Sequence, residues 1–289
     1  FESLLHMGRG IFGIDFGSVA FTIKKEQKKE AIGNYFRLHE RNFQHILYED
    51  IEKLFLYANG NVNYKYDFNL YRGDEGITEI PKEGTENGQR LYYPNIAQEN
   101  FEKIPGSPVA YWVSEKVLEI FENNKILSDS YSPNAGLQTG NNDLFLKDWH
   151  EINIKNFISY NGSKFYPYNK AGSFRKWYGN QFAVINYENN GEELKKTGKG
   201  VFRNYENYFK ESISWGLISS GSFGVRYYPE GFIFDNGAPS IIALKDNHFL
   251  CGLLNSKVSF LFLKIFNPTL NFQVGNISTI PLIKNTNSK

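Results

Sequence analysis

Aromatic side chains make up 17% of the 289 residues, with 25 Phe, 19 Tyr and 4 Trp. Such residues favour strands, because their rings pack well on a pleated, half-buried surface. From about residue 131 onward they recur in short segments between Gly and Asn turns, which predicts short strands. Aromatic rings also stack on flat partners such as bases or sugars. We therefore predict a fold built on aromatic-rich sheets, in which core packing is the main role of most rings.

Composition excludes several classes of protein. Charged residues are 22% and hydrophobic residues 41% of the chain, so it is not disordered throughout. A single cysteine, Cys251, excludes an internal disulfide framework and a zinc finger. No apolar run approaches the roughly 18 residues of a membrane span, so we expect a cytoplasmic protein with no membrane partner. The net charge of +1 gives no overall signature of DNA binding, so any DNA-binding face must be local.

The organisation of the chain is indicated by its start and by one irregular stretch. The sequence begins at Phe1 and has its only methionine at Met7, from which we expect a segment of a larger protein. Residues 73–98 are rich in Gly, Glu, Asn and Pro without clear periodicity, which predicts an irregular connection. We therefore expect a boundary near residue 100, between parts 1–100 and 101–289.

Helices and strands are predicted by periodicity and by capping residues. Apolar residues recur at helical spacing from Ile51 to Ala58, and Gly60 follows where a helix would stop. Ser114 is placed as the N-cap of a second helix. Apolar spacing further along predicts one long helix at about 249–266. The predicted strands are two within 11–24, and then 109–113, 182–187, 213–218 and the pair 225–228 and 232–234 around a turn.

A search for catalytic residues finds no constellation. The histidines are dispersed, at His6, His39, His45, His150 and His248. No GxSxG segment is present, and Cys251 on an apolar helix is interpreted as a core residue. The Asp residues show no spacing that marks an acid–base pair. We therefore predict no catalytic, cofactor-binding or metal-binding residue in this chain.

Three polar-aromatic stretches carry the functional hypotheses. The first, 136–146, is a glycine-flanked loop of amides that runs into an apolar strand. Side-chain amides can read adenine, although the local residues by themselves favour an Asn/Gly hairpin turn. The second, 166–179, places Arg and Lys among aromatic residues, which suits phosphate contact and base stacking, or a solvated turn beside the core. The third is 267–275, whose Asn267–Pro268 is followed by Thr269 and Leu270 and is rejected as a catalytic NPP[YF] motif.

Taken in order, several segments resemble the C-terminal part of the PglX-type adenine-specific DNA methyltransferases of BREX phage-defence systems. They are also similar, more loosely, to type IIG restriction–modification enzymes. The opening LLHMGRGIFGIDFGSVAFTIKK (4–25) resembles the end of the family's catalytic domain. The other matching segments are IPGSPVAYWVS (104–114), GLQTGNNDLF (136–145), WH (149–150), FYPYNKAGSFRKWYGN (165–180), INYENNGEEL (185–194), LLNSKV (253–258) and NPTLNFQVGNI (267–277).

The resemblance implies an α+β fold: an aromatic-rich mixed β target-recognition domain with packed helices at 101–289. It implies that 1–100 is a strand or hairpin remnant of an α/β methyltransferase domain plus a connecting segment. The family methylates adenine N6 with S-adenosylmethionine, yet no segment here matches its glycine-rich cofactor motif or its NPPY motif. We therefore expect no cofactor in this segment. The implied partners are double-stranded DNA, an upstream methyltransferase domain of the same chain and other defence-system subunits.

Candidate DNA-binding residues follow from this interpretation. The side-chain amides of the first stretch are the candidate base readers, and its threonine is a further DNA-binding candidate. The second stretch supplies phosphate anchors and a ring for stacking. We expect both groups on one face. The candidates are Gln138, Thr139, Asn141, Asn142, Arg175, Lys176 and Trp177. The competing hypotheses are a carbohydrate-binding or other non-DNA module, suggested by aromatic strands with Asn/Gln loops, and an intact small enzyme.

Overall fold

The computed structural model describes residues 1–9, 11–12, 17–25, 30–40, 45–76, 79–153, 163–219, 222–267 and 271–283. They form two compact units, Phe1–Asn123 and Asn124–Lys289. Both units mix helices with small sheets, so the α+β class is confirmed at that level. The first unit extends beyond the predicted boundary near residue 100, because Phe101 and Tyr111 are buried against Leu4 and Tyr35 in one cluster.

The first unit is built on one four-stranded sheet and two helices. Its sheet has the order β2-β1-β3-β6, with β1 and β3 parallel and the other neighbours antiparallel. Strands β4 and β5 form a small antiparallel pair, and β4 follows helix α1 in the sequence. The elements are β1 Ser3–Arg9, β2 Gly17–Thr22, β3 Ile32–Arg37, α1 Tyr48–Gly60, β4 Lys65–Tyr66, β5 Gln89–Arg90, β6 Tyr92–Ala97 and α2 Glu115–Asn123.

Helices α1 and α2 confirm the predictions made from apolar spacing, and Leu54, Leu118 and Phe121 are buried as expected. The prediction of an irregular stretch at 73–98 is wrong for β5 and β6, since β6 completes the sheet by pairing with β3. Only one of the two strands expected within 11–24 is described, as β2; its partner is the earlier strand β1. Residues 13–16 lie outside the described residues.

The predicted strand 109–113 is also wrong. The backbone turns there, with the Val113 N–H donating to the Ala110 carbonyl oxygen at 3.1 Å. The turn lets Tyr111 stack on Tyr35 at 4.7 Å and hydrogen-bond the Phe36 carbonyl oxygen at 2.9 Å. His6 Nδ1 lies 2.9 Å from the same hydroxyl, and burial, helped by the nearby Arg37 charge, lowers the pKa of His6 to about 4. Long-range packing of one ring therefore overrides the local strand pattern.

The second unit contains two four-stranded sheets, of order β13-β9-β10-β8 and β12-β11-β14-β7. Their strands are β7 Pro133–Asn134, β8 Leu146–Asp148, β9 Phe165–Asn169, β10 Ala183–Asn186, β11 Ser212–Trp215, β12 Val225–Tyr228, β13 Ile233–Phe234 and β14 Ser240–Ile241. The helices are α3 Asn142–Phe145, α4 Glu188–Lys196, α5 Asn247–Leu254, α6 Lys257–Phe266 and α7 Val274–Ser278.

The aromatic strands predicted from residue 182 onward are present, but one pairing differs from the local pattern. Strands β12 and β13 flank a turn in sequence, yet they belong to different sheets. β12 pairs with β11 in antiparallel fashion, whereas β13 pairs in parallel with β9. The local turn signal indicated two strands correctly but could not specify their partners.

The long helix predicted at 249–266 is two helices, α5 and α6, bent by 67°. Asn255 ends α5 and uses its side chain to bind β12: its Oδ1 accepts from the Val225 N–H at 3.0 Å, and its Nδ2 donates to the Val225 carbonyl oxygen at 2.9 Å. Ser256 then caps α6 by accepting from the Ser259 N–H at 3.1 Å. Among the described residues, no single helix is long and apolar enough to cross a membrane.

Candidate nucleic-acid interface

The amide loop that follows Gly136 is held on both sides by backbone pairing. The Leu137 N–H donates to the Phe234 carbonyl oxygen at 2.8 Å. Gln138 and Val201 exchange two hydrogen bonds of 2.9 and 2.8 Å. A Cβ atom at position 136 would overlap the Phe234 carbonyl oxygen, so this approach requires glycine. Long-range pairing therefore fixes the backbone of the loop.

The side chains of the amide loop divide into those used locally and those that face solvent. Thr139 is buried and its hydroxyl donates to Asn142 Oδ1 at 2.6 Å. Asn141 Oδ1 accepts from the Leu144 N–H at 3.2 Å and caps α3, which begins where a strand was expected. Gln138 is exposed, and its amide makes no hydrogen bond within the described part of the chain. Of the predicted base readers, Gln138 is thus the one with both polar atoms available.

The second stretch begins in β9 and continues into the loop between β9 and β10, where Trp177 has an unusual backbone conformation. The Trp177 N–H donates to the Val225 carbonyl oxygen at 2.8 Å, and its own carbonyl accepts from the Tyr227 N–H at 3.0 Å. These bonds hold Trp177 at φ 71°, a left-handed conformation that a bulky residue rarely adopts. Its indole is 55% exposed. Backbone strain of this kind persists where surrounding structure enforces it, and it often marks functional positions.

Lys176 and Arg175 differ in the contacts that their charged groups make within the fold. Lys176 Nζ donates to the Asn255 carbonyl oxygen at 2.8 Å, at the C-terminal end of α5, where a cation is favoured by the helix dipole. Arg175 is exposed. Arg175 is therefore the freer of the two predicted phosphate anchors. The Tyr168 hydroxyl, in β9 near the start of this stretch, donates to the Leu137 carbonyl oxygen of the amide loop at 3.2 Å. Within the described residues no hydrogen bond or ion pair joins Arg175, Lys176 or Trp177 to residues 138–142, and their common face stays a prediction.

Exposed aromatic rings are concentrated around the same loop. Trp149 pairs with Phe182 through an N–H to carbonyl hydrogen bond of 2.8 Å at the end of the β8–β10 ladder. Rings of this size are usually buried, and solvent exposure of several in one region marks an interaction surface. In and next to this loop, the described rings that are more than half exposed are Trp149, Phe174, Trp177, Tyr178 and Phe182. We call these five residues the aromatic surface.

Sequence reasoning did not select Trp149 or Phe182 as site residues, although Trp149 belongs to a segment that resembles the family and Phe182 lies between two such segments. The only signal was two large rings next to polar residues, which does not distinguish exposed from buried positions. Their exposure depends on β8 and β10 pairing at the edge of the sheet, and local sequence does not specify that pairing.

A groove of about 360 Å³ connects the two predicted stretches at one point, because Asn142 and Lys170 both line it. Lys147 adds a second cation. The same groove is lined by Asp143, Asp148 and Glu151, so its charges are mixed. Carboxylates repel phosphate, so the groove is less suited to the DNA backbone than the segment around Arg175.

Possible metal ligands and the single cysteine are the residues that bear on catalytic and metal chemistry. No group of three His, Cys, Asp or Glu side chains that could hold a metal ion occurs among them. Cys251 is buried, and burial raises the pKa of its thiol, which disfavours the nucleophilic thiolate. The exposed amide, cation and rings described above are groups that can contact a ligand.

Comparison with known proteins identifies the relationship. No protein-family model matches the chain. The adenine-specific methyltransferase PglX of Lacticaseibacillus casei (strain Zhang) is 36% identical over 305 aligned positions, which cover 98% of the chain. The chain is related to the adenine-specific methyltransferases of the PglX and BrxX type. The adenine-specific methyltransferase BrxX of Escherichia coli O9:H4 (strain HS) is 37% identical over 200 positions, or 67% of the chain.

The chain spans 23% of the length of that PglX and 16% of that of BrxX. These shares are consistent with the C-terminal part that the sequence motifs predicted. The matching motifs, not composition or charge, carried the correct identification, because a net charge of +1 gives no sign of a DNA partner.

Proposed function

We propose that this chain is the DNA sequence-recognition segment of a site-specific adenine-N6 DNA methyltransferase that acts in phage defence in the cytoplasm. The observation that carries the proposal is the relationship to adenine-specific methyltransferases over 98% of the chain. An enzyme that flips a base into a catalytic pocket needs a separate element that grips and reads the duplex. The aromatic surface, the exposed amide of Gln138 and the cation of Arg175 are suited to that task.

In this proposal the second unit reads DNA and the first unit belongs with the methyltransferase domain. The first unit offers a surface for that domain, since β2 is at the edge of its sheet. Val19, Phe21 and Ile23 are about half exposed or more, and apolar side chains on an unpaired edge favour contact with another part of a protein. An upstream methyltransferase domain of the same polypeptide is the partner we propose for this edge.

Base reading is assigned to Gln138. Replacing Gln138 with alanine in the full-length methyltransferase should relax the preference at one base pair by about 1–3 kcal/mol, because a bidentate amide–adenine contact is lost. Affinity for duplexes altered at that base pair should change little. Competition binding with a set of single-base-pair variants measures this. Asn141→Ala is the contrasting variant: it removes the cap of α3 and should lower stability without selectively relaxing one position.

Cofactor binding is assigned to a part of the protein outside this chain. The chain alone should therefore show no saturable binding of S-adenosylmethionine, whereas the full-length methyltransferase should bind it. Isothermal titration calorimetry of both proteins tests this. Micromolar binding by the chain alone would contradict the assignment.

Carbohydrate binding is the alternative that the aromatic surface also favours, because exposed rings stack on sugars. The dependence of binding on salt distinguishes the two ligands. Phosphate contacts release counterions, so DNA affinity should fall steeply between 50 and 200 mM salt, by the known behaviour of such complexes, whereas sugar affinity should not. The alternative would be favoured if this protein bound an oligosaccharide with an affinity independent of salt and did not bind DNA.

A further inference from the structure

Arg226, in strand β12, is a buried cation without a counterion. Its side chain is 2% exposed, and Nη2 has no hydrogen-bond partner in the described part of the chain. Nε donates to the Tyr228 hydroxyl at 3.1 Å, which leaves most of its five N–H donors unused. No carboxylate forms an ion pair with Arg226 among the described residues. The stretches of this unit outside the description contain no Asp or Glu in the sequence.

A buried charge of this kind is unfavourable unless an anion accompanies it. Removing a guanidinium from water has a large desolvation penalty, which proteins normally offset with a carboxylate and further hydrogen bonds. Here Tyr228 supplies a neutral hydroxyl and a ring whose centroid lies 6.0 Å from the guanidinium carbon, but no negative charge. The missing negative charge is therefore expected from a ligand.

Arg226 lines a small pocket whose walls suit an oxyanion. Glycines and serines form much of the lining, Arg175 adds a second cation, and no acidic residue contributes. The backbone N–H groups of Ser173, Phe174 and Arg175 donate no hydrogen bond within the described residues, so they are available to an acceptor. The main polar lining residues are Ser173, Arg175, Ser219, Ser222 and Arg226.

The size of the pocket limits what can enter. It has room for about one oxygen atom of the size of a water molecule, so a whole free anion does not fit inside. A single non-bridging oxygen of a phosphodiester can enter while the rest of the group stays outside. The backbone of Trp177 pairs with that of Arg226, and the exposed Phe174 of the aromatic surface lines the pocket itself.

We propose that Arg226 and Arg175 form a subsite for one backbone phosphate of DNA, with Trp177 stacking on a neighbouring base. This inference rests on the proposed function, because it assigns the phosphate to the recognised duplex. Gly224 lets the backbone just before β12 approach Arg175 closely, since a Cβ there would lie 2.7 Å from the Arg175 carbonyl oxygen. Arg226 is thus assigned a backbone phosphate as its partner. Sequence reasoning selected Arg175 and Lys176 as phosphate anchors and did not identify Arg226.

The test uses Arg226→Met in the full-length methyltransferase, with Arg203→Met as the control for loss of an exposed arginine in the same unit. Loss of one phosphate contact should reduce the slope of log affinity against log salt by about 0.9 and weaken binding to all sequences alike. Arg203→Met should leave the slope unchanged. A duplex scanned with single methylphosphonates should show one position whose effect is lost in Arg226→Met.

Thermal unfolding provides a second measurement that guards against a folding defect. In phosphate-free buffer, Arg226→Met should unfold at the same temperature as the wild type or higher, because it removes an uncompensated buried charge. A clearly lower unfolding temperature would overturn the proposal, since Arg226 would then support the fold itself. Adding inorganic phosphate, at ionic strength matched with chloride, distinguishes a free anion from DNA. Stabilisation by phosphate with an unchanged DNA salt slope would also overturn it.

The failure of this proposal and the failure of the proposed function are separable. If Arg226→Met leaves the salt slope intact while Gln138→Ala still relaxes base preference, the subsite is wrong and DNA recognition stands. If neither substitution affects DNA binding or preference, the recognition role of this unit fails, and the subsite fails with it.

Discussion

Replacing Trp177 with alanine in the full-length methyltransferase should weaken DNA binding by about 1–3 kcal/mol, roughly 5- to 150-fold. The reason is the exposed indole, which two backbone hydrogen bonds hold in a left-handed conformation. Alanine keeps the Cβ atom, so the backbone strain is unchanged and only the ring is lost. The effect is measured by fluorescence anisotropy with a duplex that contains the sequence the enzyme methylates.

Tyr205→Ala is the matched control for Trp177→Ala. Tyr205 is 67% exposed in the same unit but belongs to a separate turn, and it is not part of the aromatic surface. Its loss should change DNA affinity less than twofold. Equal losses in the two variants would indicate a general effect of surface aromatics, and no loss in Trp177→Ala would remove the ring from the interface.

Replacing Gly136 with alanine should destabilise the second unit by about 3 kcal/mol, the upper part of the usual range for overpacking. The new Cβ would overlap the Phe234 carbonyl oxygen, which belongs to rigid backbone and cannot rotate away. The strand pairing that holds Gln138 would be lost with it. Denaturant unfolding measures the free energy of unfolding, and hydrogen exchange of the β13 amides measures the loss of strand pairing.

Gly252→Ala provides the contrasting glycine substitution. Gly252 is inside helix α5, and a Cβ there would meet no atom within 4 Å. Alanine should therefore stabilise the unit by about 0.5–1 kcal/mol through its helix propensity. If both glycine variants were neutral, the close approach of Gly136 to β13 would be contradicted.

Local sequence patterns predicted the elements that depend on local physics. Apolar spacing with Gly60 and Ser114 at the ends located α1 and α2, since these signals act within a turn or two of helix. The break at Asn255 could not be predicted in the same way. Its cause is a side chain that binds β12, and the pairing partner Val225 is 30 residues earlier in the sequence.

The candidate site shows the same limit, because the sequence gives the type of each residue whereas long-range contacts set its environment. Sequence analysis selected amides and cations by their chemistry, but the structure commits Asn141 to a helix cap and Lys176 to a helix C-terminus. Arg226 was not selected because it stands between apolar residues in a strand. Its significance depends on a missing carboxylate partner, which is a property of the folded environment.

An exchange of the recognition segment tests the central claim most directly. Residues 124–289 would be replaced by the corresponding segment of a related methyltransferase that modifies a different sequence, and N6-methyladenine would be mapped by sequencing DNA from cells that express the chimera. The account predicts that methylation follows the transplanted segment and appears at the donor's sequence. Methylation that stays at the recipient's sequence, in a chimera that remains active, would contradict it.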